Sequence, residues 1–291
     1  MKIAGFTFIR NAIKNDYSIV EAITSILPIC DEFVVAVGKS EDDTLGLIKS
    51  IPSNKIRIIE TVWDDTKREG GQTFALETDK AYQAISPDVD WAFYIQGDEC
   101  VHEDDLPVIR QSMEQYAADE AVEGLLFQYR HFYGSYGYVA VSRRWYRREI
   151  RVIKRHPQVH SYKDAQGFRK NGKKLRVKLI PAHIFHYGWV KAPQGLNNKV
   201  RNFTQFYHDD AWLAEHVPAD YEFDYGNAER LSKFEGTHPA VAIPRIQAQD
   251  WPFEFDPKVL RARMSLRRKI LQKIADLTGW HIGEYKNYRL L

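Results

Sequence analysis

Between Phe33 and Val37 the chain reads FVVAV, five apolar residues with no polar alternation. A strand with water on one side shows a polar residue at every second position. A continuous run therefore belongs to a strand covered on both faces, as in a parallel sheet with helices above and below it. Trp91 to Ile95 (WAFYI) repeats the pattern. The neighbouring segments alternate in type. Ile3 to Ile9 predicts a first strand, and Tyr17 to Leu27 places Ile19, Ile23, Ile26 and Leu27 on one helical face. Thr44 to Ser50 predicts a helix, Ile56 to Glu60 a strand and Gln72 to Ile85 another helix. This order predicts an α/β fold on a doubly wound sheet, whose ligands sit beyond the carboxyl ends of the strands. Three loops are thereby selected: Arg10-Asn11-Ala12, Gly38 to Thr44, and Gln96 to Glu99.

The pattern changes after a helix predicted over Leu106 to Tyr116. Gly124 to Arg130 and Ile150 to Lys154 read as strands with a Tyr-, Arg- and Trp-rich stretch between them, which predicts a mixed, more antiparallel half. From Lys199 the chain reads as helical and aromatic, is interrupted around Pro239, Pro244 and Pro252, and closes on one more helix.

Charge narrows the partners. The 41 basic residues nearly balance 39 acidic ones, for a net charge of +2, so no global field gathers nucleic acid and none is expected as a partner. The two cysteines, Cys30 and Cys100, are too few for a disulfide framework or a thiolate zinc site, and a reducing cytoplasmic setting is expected. No run approaches the ~20 apolar residues of a membrane helix.

The loops themselves carry chemistry. Asp98 ends an apolar strand, where a carboxylate either holds a hard cation against a diphosphate or satisfies a turn. Ser40 and Asp42 either meet a base and ribose or belong to a polar loop that caps the next helix. The order of four motifs adds to this: GFTFIRN at the first strand's end, GKSEDDT after the second, GGQTFA opening a helix, and YIQGDE after the fourth. In that order, over roughly residues 1–190, the chain resembles the family 2 glycosyltransferases of the GT-A fold.

The resemblance implies a GT-A, Rossmann-like mixed sheet flanked by helices, with a helical C-terminal extension. Residues 1–105 would form the nucleotide-sugar half, 106–198 the acceptor half and 199–291 the extension. It implies that Thr7, Ile9, Arg10, Gly71, Gln96, Gly97 and Asp98 line the nucleotide and that Ser40 and Asp42 contact uracil or ribose. Asp98 would be the last carboxylate of a D-x-D metal motif, with Mn²⁺ or Mg²⁺ as cofactor. The donor would be a UDP-sugar and the acceptor a saccharide, free or lipid-linked, in inverting transfer of a hexose during bacterial surface-polysaccharide synthesis. Two positions depart from the pattern: Gln96 stands where the first Asp of D-x-D is expected, and Gly38 where an acidic residue opens the second motif. Glu99 and a downstream histidine, His186 in HIFHYGW, are expected to complete the metal shell, against the alternative that His186 is a packed core histidine. Asp164 is expected as the base for the acceptor hydroxyl, against the alternative of a turn carboxylate paired with Lys163 or Arg169. A sugar nucleotidyltransferase and a non-catalytic nucleotide-sugar-binding protein are the alternatives.

Two basic segments remain. Arg143, Arg144, Arg147, Arg148, Arg151, Lys154 and Arg155, interleaved with Trp145 and Tyr146, suit phosphates and sugars or simply a solvated strand pair. The last helix puts Leu266, Ile270, Ile274 and Leu277 on one face, with Arg263, Arg267, Arg268, Lys269 and Lys273 around them. It either docks on the protein or contacts a membrane surface peripherally.

Overall fold

The computed structural model of the protein describes residues 1–64, 66–67, 69–218, 223–226, 228–254 and 264–291. Arg263 lies outside them. Fourteen strands are present among the described residues: β1 (Ile3–Ile9), β2 (Glu32–Gly38), β3 (Ile56–Thr61), β4 (Trp91–Tyr94), β5 (Glu99–Val101), β6 (Gly124–Tyr133), β7 (Ser135–Ala140), β8 (Arg148–Lys154), β9 (Val159–Tyr162), β10 (Gly167–Lys170), β11 (Lys173–Lys174), β12 (Arg176–Trp189), β13 (Leu231–Lys233) and β14 (Arg289–Leu290). The helices are α1 (Ile19–Ile26), α2 (Thr44–Lys49), α3 (Gln72–Gln83), α4 (Leu106–Gln115), α5 (Pro193–Thr204), α6 (Asp210–His216), α7 (Ile243–Gln247) and α8 (Leu266–Thr278).

The result is an α/β fold on a mixed sheet ordered β13-β7-β6-β8-β4-β1-β2-β3, with β12 beside β6. β1 runs parallel to both β2 and β4, and β2 to β3. Beyond β4 the pairing turns antiparallel through β8 and β6, as expected for the second half. Alternate residues of β1 and β2 feed two cores. Ile3, Ile9, Phe33 and Val35 pack with Ile19, Ile23 and Ile26 of α1, whereas Ala4, Phe6, Val34 and Ala36 pack with Phe74 and Tyr82 of α3. Both faces of the FVVAV strand are therefore covered, which explains its lack of polar alternation.

Chain order reverses at β1: β2 follows on one side of it, β4 lies on the other. The carboxyl ends of β1 and β4 flank such a switch point, where neighbouring loops leave in opposite directions and open a crevice. The expected boundary at 198/199 falls inside α5, and the last segment is not helical throughout, since β13 extends the main sheet at β7 and β14 adds to β12. α8 docks, but by a different face from the expected one. Gln272 and Ala275 are its buried residues, and the Gln272 side-chain oxygen accepts from the Arg143 backbone N–H at 3.0 Å. Leu266 and Leu277 stay 75% and 77% exposed.

Candidate functional site

A cavity of about 520 Å³ opens at the switch point, lined by residues from the ends of β1 and β4, the loop after β3, and α3 and α5. One wall is aromatic. The Trp63 ring lies 5.7 Å from Phe8, 5.8 Å from Phe74 and 5.5 Å from Phe206, and Phe203 stacks on Phe74 at 5.3 Å. The Arg10 guanidinium carbon sits 5.4 Å from the centre of the Trp63 ring. Here the departure at Gly38 finds its cause: a Cβ at that position would collide with the Trp63 indole. An acidic side chain and this aromatic wall exclude one another.

The opposite wall is ionic and follows from strand register. β5 pairs antiparallel with β12 so that Glu99 faces His186, and one step further the Tyr187 N–H donates to the Asp98 carbonyl at 2.8 Å. Asp98 and His186 are thus brought together by the ladder, with His186 Nε2 3.7 Å from Asp98 Oδ2. β12 also pairs parallel with β6, placing His131 beside His186 with their Nδ1 atoms 3.0 Å apart. His131 Nε2 is 2.7 Å from the Tyr146 carbonyl, which can only accept, so Nε2 carries the proton and His131 Nδ1 accepts from His186. Burial, reinforced by His186, holds His131 well below the usual imidazole range and keeps it neutral. This relay fixes His186 as an Nδ1–H donor and turns its Nε2 towards Asp98.

Lys199, from α5, completes this wall. Its ammonium donates to Asp98 Oδ2 and to the Gly188 carbonyl, both at 2.8 Å. Burial by itself would raise the Asp98 carboxyl, but Lys199 and then His186 hold it well below the usual carboxylate range.

The third side carries Asp164. The Tyr207 hydroxyl donates to Asp164 Oδ2 at 2.9 Å. The residues on either side of Asp164, Lys163 and Ala165, have φ of 55° and 60°, a left-handed conformation that costs energy for residues other than glycine. The Gln96 amide donates to the Ala165 carbonyl at 3.3 Å and so ties this loop to the end of β4. A carboxylate could not donate there, which accounts for the departure at Gln96.

Of the residues singled out in the sequence, Ile9, Arg10, Gln96, Gly97, Asp98, Asp164 and His186 line one cavity. Gly71 packs beside it: a Cβ there would stand 2.8 Å from the Asp164 Cβ and 2.9 Å from the Tyr207 hydroxyl. Thr7 is fully buried within β1 and lies outside the cavity lining. Ser40 and Asp42 are corrected to a loop-stapling role. The Ser40 hydroxyl donates to the Gly38 carbonyl at 2.8 Å and accepts from Asn11 N–H at 3.0 Å. Asp42 accepts from the Lys14 N–H at 2.7 Å and from the hydroxyl and N–H of Thr44. They join the first two loops to each other instead of facing the cavity.

Glu99 is corrected as a metal ligand. It is fully buried, and Arg151 grips both its oxygens at 2.8 and 2.7 Å while the Tyr129 hydroxyl donates to it at 2.7 Å. The basic segment around it is likewise engaged with protein. Arg147 makes a two-bond pair with Glu284 at 2.9 Å, Lys154 donates to the Asp119 carbonyl, and only Tyr146 of that stretch reaches the cavity.

Sequence reasoning missed Lys199, His131 and the aromatic wall. Leu196, Lys199, Phe203 and Phe206 fall at steps of three, four and three, so helical periodicity was a usable signal for the α5 contribution. Trp63 leaves no such trace, because it sits in an irregular loop.

Fold and site together define an α/β protein with an aromatic and ionic pocket at a sheet switch point. No protein-family model and no curated protein matches the chain. Among solved structures it is similar to the glucosyl-3-phosphoglycerate synthase of Mycobacterium tuberculosis in complex with Mn²⁺, UDP and glucosyl-3-phosphoglycerate, at 19% identity, 44% coverage of each chain and a TM-score of 0.30. It is also similar to residues 1–349 of S. aureus TarS (10% identity, 75% of this chain, 70% of that one, TM-score 0.37). A third likeness is to 4-diphosphocytidyl-2C-methyl-D-erythritol synthase of Anaerococcus prevotii (13%, 66%, 90% and 0.39 respectively). The chain spans less than half the length of the mycobacterial synthase it matches. Likenesses at this level assign no residue a role.

Proposed function

We propose that the chain is a nucleotide-sugar-dependent glycosyltransferase of the GT-A type, moving a hexose from a UDP-sugar to a hydroxyl of a saccharide acceptor, free or lipid-linked, in the assembly of a bacterial surface polysaccharide. The observation that carries this reading is the sharing of one cavity by an aromatic wall for a planar base, cations for a diphosphate and a separate carboxylate, Asp164. The order of the four loop motifs supports it. In this reading the base lies against Trp63 and Phe74, and Arg10 and Lys199 face the diphosphate. Asp164 takes the acceptor's hydroxyl proton as that oxygen bonds to the anomeric carbon and the bond from that carbon to the diphosphate breaks, with inversion. Tyr207 occupies Asp164 Oδ2 and thereby leaves Oδ1 to act.

The Mn²⁺ or Mg²⁺ implied by the sequence resemblance meets a donor set of only two, Asp98 and His186, with the Lys199 ammonium on the same carboxylate oxygen. Among the described residues no group of three or more His, Cys, Asp or Glu converges. That set does not fit a resident divalent cation.

A melting-temperature panel with UDP, UDP-hexoses, ADP, GDP and CTP tests the reading. Ligand at 100-fold over its Kd adds about 2.7 kcal/mol of stability, so the preferred nucleotide stands out. UDP or a UDP-hexose should give the largest rise. A larger rise with CTP, and conversion of CTP and a sugar phosphate to a nucleoside-diphosphate sugar with release of pyrophosphate, would move the assignment to a nucleotidyltransferase, and binding without transfer to any saccharide to a non-catalytic protein.

Membrane contact belongs to the same proposal. No helix among the described residues is long and apolar enough to cross a membrane. On α8, however, Leu266, Ile270 and Leu277 form an exposed stripe opposite Gln272 and Ala275, continued by exposed Trp280 and flanked by exposed Arg267, Lys269 and Lys273. Apolar groups between cations suit an anionic lipid surface. At about 1 kcal/mol per basic residue near such a surface, replacing Arg267, Lys269 and Lys273 by Gln should abolish sedimentation with phosphatidylglycerol vesicles. Equal sedimentation of the triple variant and the parent would refute the contact.

A further inference from the structure

We propose that Lys199 is a built-in counter-charge for the leaving diphosphate, so that a fixed ammonium does here what a bound divalent cation does elsewhere, and donor binding needs no metal. This rests on the glycosyltransferase reading above.

The cluster is constructed around a missing side chain. A Cβ on Gly188 would stand 2.6 Å from Asp98 Oδ2, 2.6 Å from His186 Nε2 and 2.7 Å from Lys199 Nζ. Only glycine lets these three groups close around one point, and one of the three is an ammonium. Two of its three N–H bonds go to Asp98 and to the Gly188 carbonyl. The ammonium also lies 5.4 Å from the centre of the Trp189 ring and 5.7 Å from that of Tyr17, and all three residues line the cavity.

The carboxylates that could have built a metal shell are diverted. Glu99 is held by Arg151, and the position expected to carry a first carboxylate carries Gln96, whose amide is a donor to Ala165. Asp98 is then the anchor of the lysine, not of a metal. An ammonium tied down in this way needs no reorganisation when charge develops on the departing phosphate oxygen, which is the condition for electrostatic stabilisation of a leaving group. Arg10, which lines the same cavity, supplies a second positive charge.

Calorimetric titration of UDP and UMP into metal-stripped protein decides this, in EDTA and then in excess Mn²⁺, for the parent chain, Lys199→Met and Lys199→Arg. The parent should bind UDP in EDTA with a Kd that Mn²⁺ changes by less than twofold. Lys199→Met should weaken UDP at least tenfold while leaving UMP, which lacks the leaving phosphate, within twofold, and Lys199→Arg should recover most of the loss. UDP binding by the parent that appears only with Mn²⁺ overturns the proposal without any variant, and so does a Lys199→Met protein that binds UDP like the parent. A parent that binds neither UDP nor UDP-hexose, with or without Mn²⁺, fails the glycosyltransferase reading itself, a different result from metal-dependent binding.

Discussion

Glu99→Ala is expected to destabilise the folded protein by about 3–5 kcal/mol, because it strands a fully buried guanidinium with no compensating charge. Arg151 has no exposure and gives two charge-assisted bonds to Glu99. Burial alone would lower the Arg151 pKa, but Glu99 more than offsets this and holds it well above its ordinary value, so the arginine stays charged. Urea unfolding of the two proteins measures the loss. The pair tests the cause as well: Glu99→Leu combined with Arg151→Met removes both charges and should recover most of the stability, since apolar replacement of a whole buried ion pair is often neutral or better. A single variant within 1 kcal/mol of the parent would return Glu99 to the list of candidate ligands.

The second large effect falls on turnover. Asp164→Asn keeps the shape of the side chain and can still take the Tyr207 hydrogen bond, but an amide cannot accept the proton of an acceptor hydroxyl. Transfer should drop by about 10²–10⁴-fold, the range that general-base catalysis supplies, with UDP affinity and melting temperature unchanged. Initial-rate measurement with the donor found by the melting panel, beside calorimetry with UDP, separates the two. Equal turnover in the variant would leave Asp164 as a loop carboxylate.

Much of the architecture was legible because burial leaves its mark on sequence period. FVVAV and WAFYI read as strands covered on both faces, and Ile19, Ile23 and Ile26 fell where one helical face required them. Loop roles were less legible. Ser40 and Asp42 have the composition of a ligand loop and equally of a staple between loops, and only the positions of Asn11, Lys14 and Thr44 decide between the two. Glu99 beside Asp98 looked like a second ligand. Asp98, however, still belongs to the turn before β5, whereas Glu99 opens that strand, where Arg151, some fifty residues away in the chain, and Tyr129 take up both its oxygens. The face of α8 was misread for a related reason: the apolar stripe is real, but a small alanine and a glutamine hydrogen-bonded to Arg143 made the contact instead.

The pocket draws its walls from Phe8 at one extreme to Phe206 at the other, with Trp63, Asp98, Asp164 and His186 between them. No contiguous fragment shorter than that span contains the site, and contacts such as Lys199 to Asp98 and Phe74 to Phe203 close long loops whose entropy is recovered only when distant segments meet. Ligand affinity is therefore a readout of the completed chain. A chain cut after β4 lacks Asp98, Asp164, both histidines, Lys199 and the Phe203 and Phe206 part of the aromatic wall at once.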